Sequence, residues 1–331
     1  MRILVAPDKF KGTASAQMVA ESIRSAIGDD DKVALQPLAD GGEGTVQAFG
    51  GPNRSDTVLD PLNNPVEALW RLQGDFAVIE MSQASGLTLV GGPENNDPIA
   101  ATTHGTGQLI AIAIERGARE ILVGAGGSAT TDGGLGALEA LHPLQRLREV
   151  SITVACDVET PFNQAAETFG PQKGASPSQV QFLKRRLDRV AQMYLEDRGK
   201  DISTMKMAGA AGGFAGGLAS VGATLVNGFD AVSEAVDLLD SIEKADLIIT
   251  GEGYVDGSSF EGKVVGGVLE LARETGTPAI IITGGWDKSL TIPVPIYGLE
   301  QEVGRECAYA NTQKSIALVA EKAISNWRKD R

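Results

Sequence analysis

Histidine is nearly missing from this chain. Only His104 and His142 occur in 331 residues, which argues against histidine-rich metal centres and His-based catalytic triads. Cysteine is equally scarce. Cys156 and Cys307 have no metal-ligand spacing, and Cys156 sits in an apolar run that reads as a buried strand, a usage that fits a reducing cytoplasm. Positive charge is in deficit: 29 Lys and Arg against 43 Asp and Glu give a net charge of -14. Such a balance disfavours nucleic acid and anionic membrane as partners. A few lysines can still dominate one cleft, and Lys9, Lys11, Lys173 and Lys263 fall in loops. A convincing membrane span is lacking too. Residues 207–226 carry no charge, but six of them are glycine, so the stretch reads as a closely packed buried segment. The first residues enter a strand pattern at once, without the signature of a signal peptide, and a cytoplasmic location is expected.

Glycine is plentiful, with 41 residues, and much of it stands beside acids. Asp40-Gly41-Gly42-Glu43-Gly44-Thr45 follows an apolar run, as does Gly126-Gly127-Ser128-Ala129-Thr130-Thr131-Asp132-Gly133-Gly134. A third such loop is Gly251-Glu252-Gly253-Tyr254-Val255-Asp256, followed by Gly262-Lys263. Glycine lets backbone N–H groups approach an anion, and a nearby carboxylate can hold Mg²⁺, which in turn holds phosphate oxygens. Plain turns between strand and helix are also glycine-rich. Three acid-bearing loops together favour a phosphate site.

Short apolar runs alternate with amphipathic stretches, the signature of α/β architecture. Strands are expected at 2–6, 32–38, 77–81, 120–123, 152–156, 246–250 and 279–283, with a short one near 296. An antiparallel hairpin turns at Asn63-Asn64-Pro65. Helices are expected at 15–27, 106–116, 178–194 and 263–274, and at the C-terminal end, capped by Thr312. Lys184, Arg185, Arg186 and Arg189 read as a solvated helix face. The simplest organisation is a Rossmann-like parallel-sheet domain built from 1–45 and 241–331, with a mixed α/β domain, 46–240, inserted. The glycine loops would then gather in the cleft between the domains, where ligands usually bind.

Two familiar motifs fit only in part. Residues 257–263 match G-x-x-x-x-G-K, but Val264 replaces the hydroxyl that a P-loop needs for Mg²⁺. Residues 124–129 match the dinucleotide pattern G-x-G-x-x-A, without a clear acid at the end of the next strand. Asp8 ends the first strand, and Lys11, Thr13 and Ser15 lead into a helix whose start could receive an anion. Asp157 ends another strand, and residues 169–174 form a basic loop containing Lys173.

Taken together, these segments resemble the type I glycerate kinase family. The resemblance runs through Ala6-Pro7-Asp8-Lys9-Phe10-Lys11-Gly12, residues 37–45, residues 80–87 and Thr102-Thr103-His104-Gly105-Thr106-Gly107. It continues through residues 126–134, 155–158, 169–175, 209–213 and 250–256 with Gly262-Lys263. It implies ATP- and Mg²⁺-dependent phosphorylation of D-glycerate, mostly to 2-phosphoglycerate. Within that reading Asp40, Lys11 and Asp8 are the candidate catalytic residues, with Asp40 as general base or Mg²⁺ ligand. Ser15, Gly41, Gly42, Gly126, Gly127, Ser128, Thr130 and Lys173 are candidates for substrate or phosphate. Glu43, Asp132, Asp157, Glu252, Asp256 and Lys263 are candidates for nucleotide and metal. Three departures stand out: Lys9 where serine is expected, Val265 where proline is usual, and a shortened stretch between Leu141 and Val154.

Two other functions compete. A dinucleotide-dependent oxidoreductase would use the Gly124 loop, and a non-catalytic sensor would bind glycerate or a nucleotide. The joint presence of Asp40, Glu43, Lys11 and Asp256 argues for catalysis. The partners expected are small molecules, with self-association left open.

Overall fold

In the computed structural model, residues 1–329 are described. The last two residues of the expected 241–331 segment lie outside them. The described chain forms two compact units, one from residues 1–40 and from Phe229 onward, the other from Gly41–Gly228.

The first unit is built on a five-stranded, all-parallel sheet. Its spatial order is Ile296–Gly298, Ala279–Thr283, Leu247–Thr250, Arg2–Val5, Lys32–Leu35. The middle strands are apolar on both faces, as a parallel sheet covered on both sides requires. Helix Ala16–Ser25 buries Val19, Ala20 and Ile23, and the long helix Thr312–Lys329 packs beside it with Ile316, Val319, Ala320, Ala323 and Ile324. Strand Lys32–Leu35 is shorter than the expected 32–38. Its residues are mostly exposed; the amides of Gln36 and Leu38 still donate to the carbonyls of Val5 and Pro7 at 2.9 Å each, but Pro7 has no amide to return a bond. Thr312 does not cap its helix: its hydroxyl donates back to the carbonyl of Ala308 at 2.8 Å.

The second unit holds a six-stranded mixed sheet in chain order: Arg54–Leu59, Pro65–Gln73, Phe76–Glu80, Glu120–Gly124, Ser151–Cys156 and Thr224–Asn227. The first two pairings are antiparallel and the other three parallel. The hairpin turns where the sequence places it, with Asn63 at φ 66°. Helix Pro177–Arg198 starts earlier and ends later than expected, because Ser176 and Gln179 form a reciprocal cap and Gly199 closes it. Its basic face is not wholly solvated, since Arg186 donates to the carbonyl of Ile99 at 2.8 Å. The uncharged stretch folds as a turn at Ala210–Gly213 and helix Phe214–Ser220. Among the described residues no helix is long and apolar enough to cross a membrane. The glycines allow close backbone packing. A Cβ on Gly212 would stand 2.1 Å from the carbonyl oxygen of Thr130, and one on Gly217 2.5 Å from that of Gly133.

Candidate active site

Parallel strands deliver the loops at their carboxyl ends to one edge of the sheet. In the first unit three neighbouring strands, Leu247–Thr250, Arg2–Val5 and Lys32–Leu35, lead at their carboxyl ends to Glu252, Asp8 and Asp40. Asp8 is buried, and its backbone N–H donates to the carbonyl of Gly251 at 2.8 Å. Lys9 serves two of these acids. Its Nζ lies 3.5 Å from Asp8 Oδ1 and 3.7 Å from Asp40 Oδ1. Burial pushes the Asp8 carboxyl up to about 6 although Lys9 opposes the rise, and Asp40 adds a further push. Burial also lifts Glu252, to about 7, with Asp8 and Asp40 contributing repulsion against a hydrogen bond from Ser259 and the charge of Lys263. Its Oε1 is buried and has no hydrogen-bond partner among the described residues. Lys9 thus faces Asp8 and Asp40 while Lys263 acts on Glu252, and two of the three acids, Asp8 and Glu252, are held above their ordinary range, an arrangement typical of functional carboxylates.

The other residues expected here take different places. Lys11 is exposed. The lysine that the structure brings to Asp8 and Asp40 is Lys9, which the sequence marks as a loop lysine and a departure from the family but not as a site residue. Ser15 accepts from the N–H of Met18 at 3.2 Å and so caps helix Ala16–Ser25. Asp256 starts the turn Gly257–Phe260, accepting from the backbone and hydroxyl of Ser258 at 2.8 and 2.6 Å, and these bonds hold its carboxyl below the usual range. Lys263 stands at the start of helix Val264–Thr275 and donates to Ser258 Oγ at 3.1 Å.

The second unit collects its residues in the same way but pairs them more completely. Strands Phe76–Glu80, Glu120–Gly124 and Ser151–Cys156 lie side by side and lead to the 126–134 loop and Asp157. Lys173 is 3 % exposed. Its Nζ donates to Ser128 Oγ at 2.8 Å and to the carbonyl of Thr130 at 2.6 Å. Burial lowers its ammonium to about 7, while Asp132 and Asp157 oppose the fall. The hydroxyls of Thr130 and Thr131 are buried without a partner among the described residues.

Asp132, which the sequence places with nucleotide or metal, is 1 % exposed, and both its oxygens are engaged. Oδ2 accepts from Thr103 N at 2.9 Å, Thr103 Oγ1 at 2.8 Å and Gly136 N at 3.2 Å, and Oδ1 accepts from Gly134 N at 3.0 Å. It joins the starts of helices His104–Glu115 and Leu135–Ala140. Glu43, by contrast, is exposed.

Several glycines expected beside an anion also stand close to backbone. A Cβ on Gly41 would lie 2.8 Å from the Ala155 carbonyl oxygen, and one on Gly126 2.5 Å from Gly42 Cα. This packing also removes the dinucleotide reading of residues 124–129. No helix opens within that pattern, and the next begins at Leu135. Glu80 was missed by the sequence reading. It is buried and accepts from the N–H groups of Gly44 and Val46 at 3.0 and 2.8 Å, so it shapes the loop that follows Asp40. A lone acid ending an apolar strand was the available signal.

The profile of the glycerate kinase family matches residues 3–144 and 142–296. Its two pieces meet where the shortened stretch begins. Glycerate 2-kinase of Escherichia coli K12 is 38% identical over 325 residues, covering 86% of this chain and 85% of that protein. A glycerate kinase of Bacillus cereus is 34% identical over 381 positions, covering 99% of this chain and 98% of that protein. The solved structure of a protein assigned as glycerate kinase 2 of Salmonella typhimurium LT2 superposes with a TM-score of 0.84 at 34% identity, covering 100% of this chain and 99% of that one. Three parallel strands carrying acids to one sheet edge, motifs in family order along the chain, and relatives matched over nearly their full lengths agree: the chain is a kinase and belongs to the glycerate kinase family.

Proposed function

We propose that this kinase transfers the terminal phosphoryl group of ATP to the 2-hydroxyl of D-glycerate, giving 2-phosphoglycerate and ADP. The observation that carries the reading is the acid group Glu252, Asp8 and Asp40 at the carboxyl ends of three adjacent strands, with Lys9 against it. Phosphoryl transfer needs positioning and charge neutralisation more than covalent chemistry. Asp40 is the base that accepts the hydroxyl proton, and Asp8, partly protonated near neutral pH, orients the same substrate. Lys11 supplies a point charge to the glycerate carboxylate or to the transferring phosphoryl group.

Mg²⁺ usually takes one or two protein carboxylates and completes its shell with phosphate oxygens and water. Among the described residues no three acids, histidines or cysteines are arranged to hold a metal alone. The unpartnered Oε1 of Glu252 fits the sparser mode, with Asp256 and Glu43 as further carboxylates toward the metal–nucleotide. The ion would neutralise charge on the phosphates. Lys263 is assigned to phosphate, as are the donors of the 126–131 loop with Ser128, Thr130 and Gly127. Asp157 is assigned to the nucleotide side.

The decisive experiment couples the reaction to enolase alone and follows phosphoenolpyruvate. Signal without phosphoglycerate mutase supports the 2-phosphate. Signal only after mutase is added makes the product the 3-phosphate and overturns the regiochemistry. No turnover of D-glycerate with ATP overturns the substrate.

A further inference from the structure

We propose that Lys173 is a positioning residue: it fixes the shape of loop 128–130 and does not itself touch the anion. The inference deepens the function proposed above and rests on it. A lysine beside a glycine-rich loop is ordinarily taken as the cation that meets phosphate. Here the ammonium is almost wholly buried and points two donors inward, to Ser128 Oγ and to the Thr130 carbonyl. Between those anchors the Ala129 carbonyl is held by Asn96, whose Nδ2 donates to it at 3.0 Å. The same Nδ2 donates to the Lys173 carbonyl at 2.9 Å. Three consecutive loop residues are therefore pinned by two side chains, and the Asn96 side chain is tied to the Lys173 backbone. The base of this strut is tight as well, because a Cβ on Gly174 would stand 2.1 Å from the carbonyl oxygen of Pro93.

With Lys173 engaged in this way, the side-chain donors the loop has left are the hydroxyl of Ser128, which only accepts from Lys173, and those of Thr130 and Thr131, buried and unpartnered among the described residues. Their value to a reaction depends on a loop that does not move, since donors preorganised for charge act more strongly than donors that must reorient. The strut provides that rigidity through hydrogen bonds, and the lowered ammonium follows from its burial rather than from a ligand.

The test compares wild type with Lys173→Met, Lys173→Gln and Asn96→Ala. Steady-state kinetics with ATP and D-glycerate are read beside hydrogen exchange at residues 126–131. A strut makes the loss of kcat follow the loss of amide protection. Lys173→Met is expected to lower kcat at least about thirtyfold and to speed exchange, with both KM values within about threefold. Asn96→Ala keeps the lysine charge and is expected to lower kcat about tenfold with matching loss of protection. Lys173→Gln should fall between wild type and Lys173→Met in both measures. The proposal is overturned if kcat falls in the Lys173 variants while the loop stays protected, because the charge is then used on the ligand. It is also overturned if Asn96→Ala leaves both kcat and protection unchanged. Should Lys173→Met not fold, Asn96→Ala still decides. A wild-type protein without glycerate kinase activity would defeat the functional reading instead, and exchange in the same variants would still test the strut.

Discussion

Each unit brings charged groups to the carboxyl ends of parallel strands in its own sheet, and the two units treat them differently. In the first, Lys9 faces Asp8 and Asp40, Lys263 acts on Glu252, and Asp8 and Glu252 are held above the ordinary carboxylate range. In the second, Asp132 is surrounded by amide and hydroxyl donors, and Lys173 is held between a hydroxyl and a carbonyl. Removing a buried charge that has a full set of partners strands those partners and costs stability. A buried charge short of partners is destabilising until something else arrives, which is the mark of a group kept for chemistry. Residue type and sheet position do not separate these cases, whereas the hydrogen-bond inventory does.

The largest test removes the best-satisfied acid. Asp132→Ala strands several buried donors and is expected to lower stability by about 3–5 kcal/mol, read by denaturant unfolding. A variant that kept its stability but lost kcat would make Asp132 a ligand and erase the contrast. Asp40→Asn should show the reverse pattern: kcat down roughly a hundredfold, with little change in Tm. Near-normal kcat there would reduce Asp40 to a turn residue. Lys11→Met should lower kcat/KM by about tenfold, roughly 1.4 kcal/mol of transition-state stabilisation. Unchanged kinetics would leave Lys11 an ordinary surface lysine and pass its role to Lys9.

The comparison is sharpened further through pH, measured without nucleotide or metal. Asp8 and Glu252 have folded pKa values raised to about 6 and about 7. The folded state therefore binds more protons than the unfolded one between about pH 4 and 7. Stability from this source is fully present below pH 4 and is lost as pH rises through that window. Lys173 has its folded value lowered to about 7, so its contribution runs the other way and is regained as pH rises from about 7 toward 10.5. The two limbs should appear as slopes of opposite sign in stability against pH. Asp8→Asn should flatten the acid limb and Lys173→Gln the alkaline one. One flat limb in the wild type would show that the corresponding group is not buried as a charge.

Much of the architecture was legible in the sequence. The hairpin at Asn63-Asn64-Pro65, the all-apolar strand Ala279–Thr283 and the helix face of Leu183, Leu187 and Tyr194 follow from local period and turn chemistry. Helix ends were less legible where a cap lay beyond the apolar pattern, as with Ser176 and Gly199. The candidate site was legible only as an inventory. Asp8, Asp40 and Glu252 could be picked out as acids at or just past strand ends, and Asp132 as an acid in a glycine loop, but only the fold reveals the amide and hydroxyl donors that surround Asp132. Lys9 and Lys11 differ by two positions, and only the fold reveals that the first is the one beside the carboxylates.

By itself the sequence determined the features that short-range physics controls: an α/β chain with glycine turns after its strands, too few histidines for histidine-rich chemistry, and motifs in the order of the glycerate kinase family. The tertiary structure decided which of those residues are left wanting. Whether an acid, a lysine or a glycine serves a ligand or the fold depends on the donors, acceptors and backbone brought to it from distant positions. Thr103 reaches Asp132 across 29 residues and Ser128 reaches Lys173 across 45. No local pattern encodes such pairings, because they exist only once the sheet has placed its strands side by side.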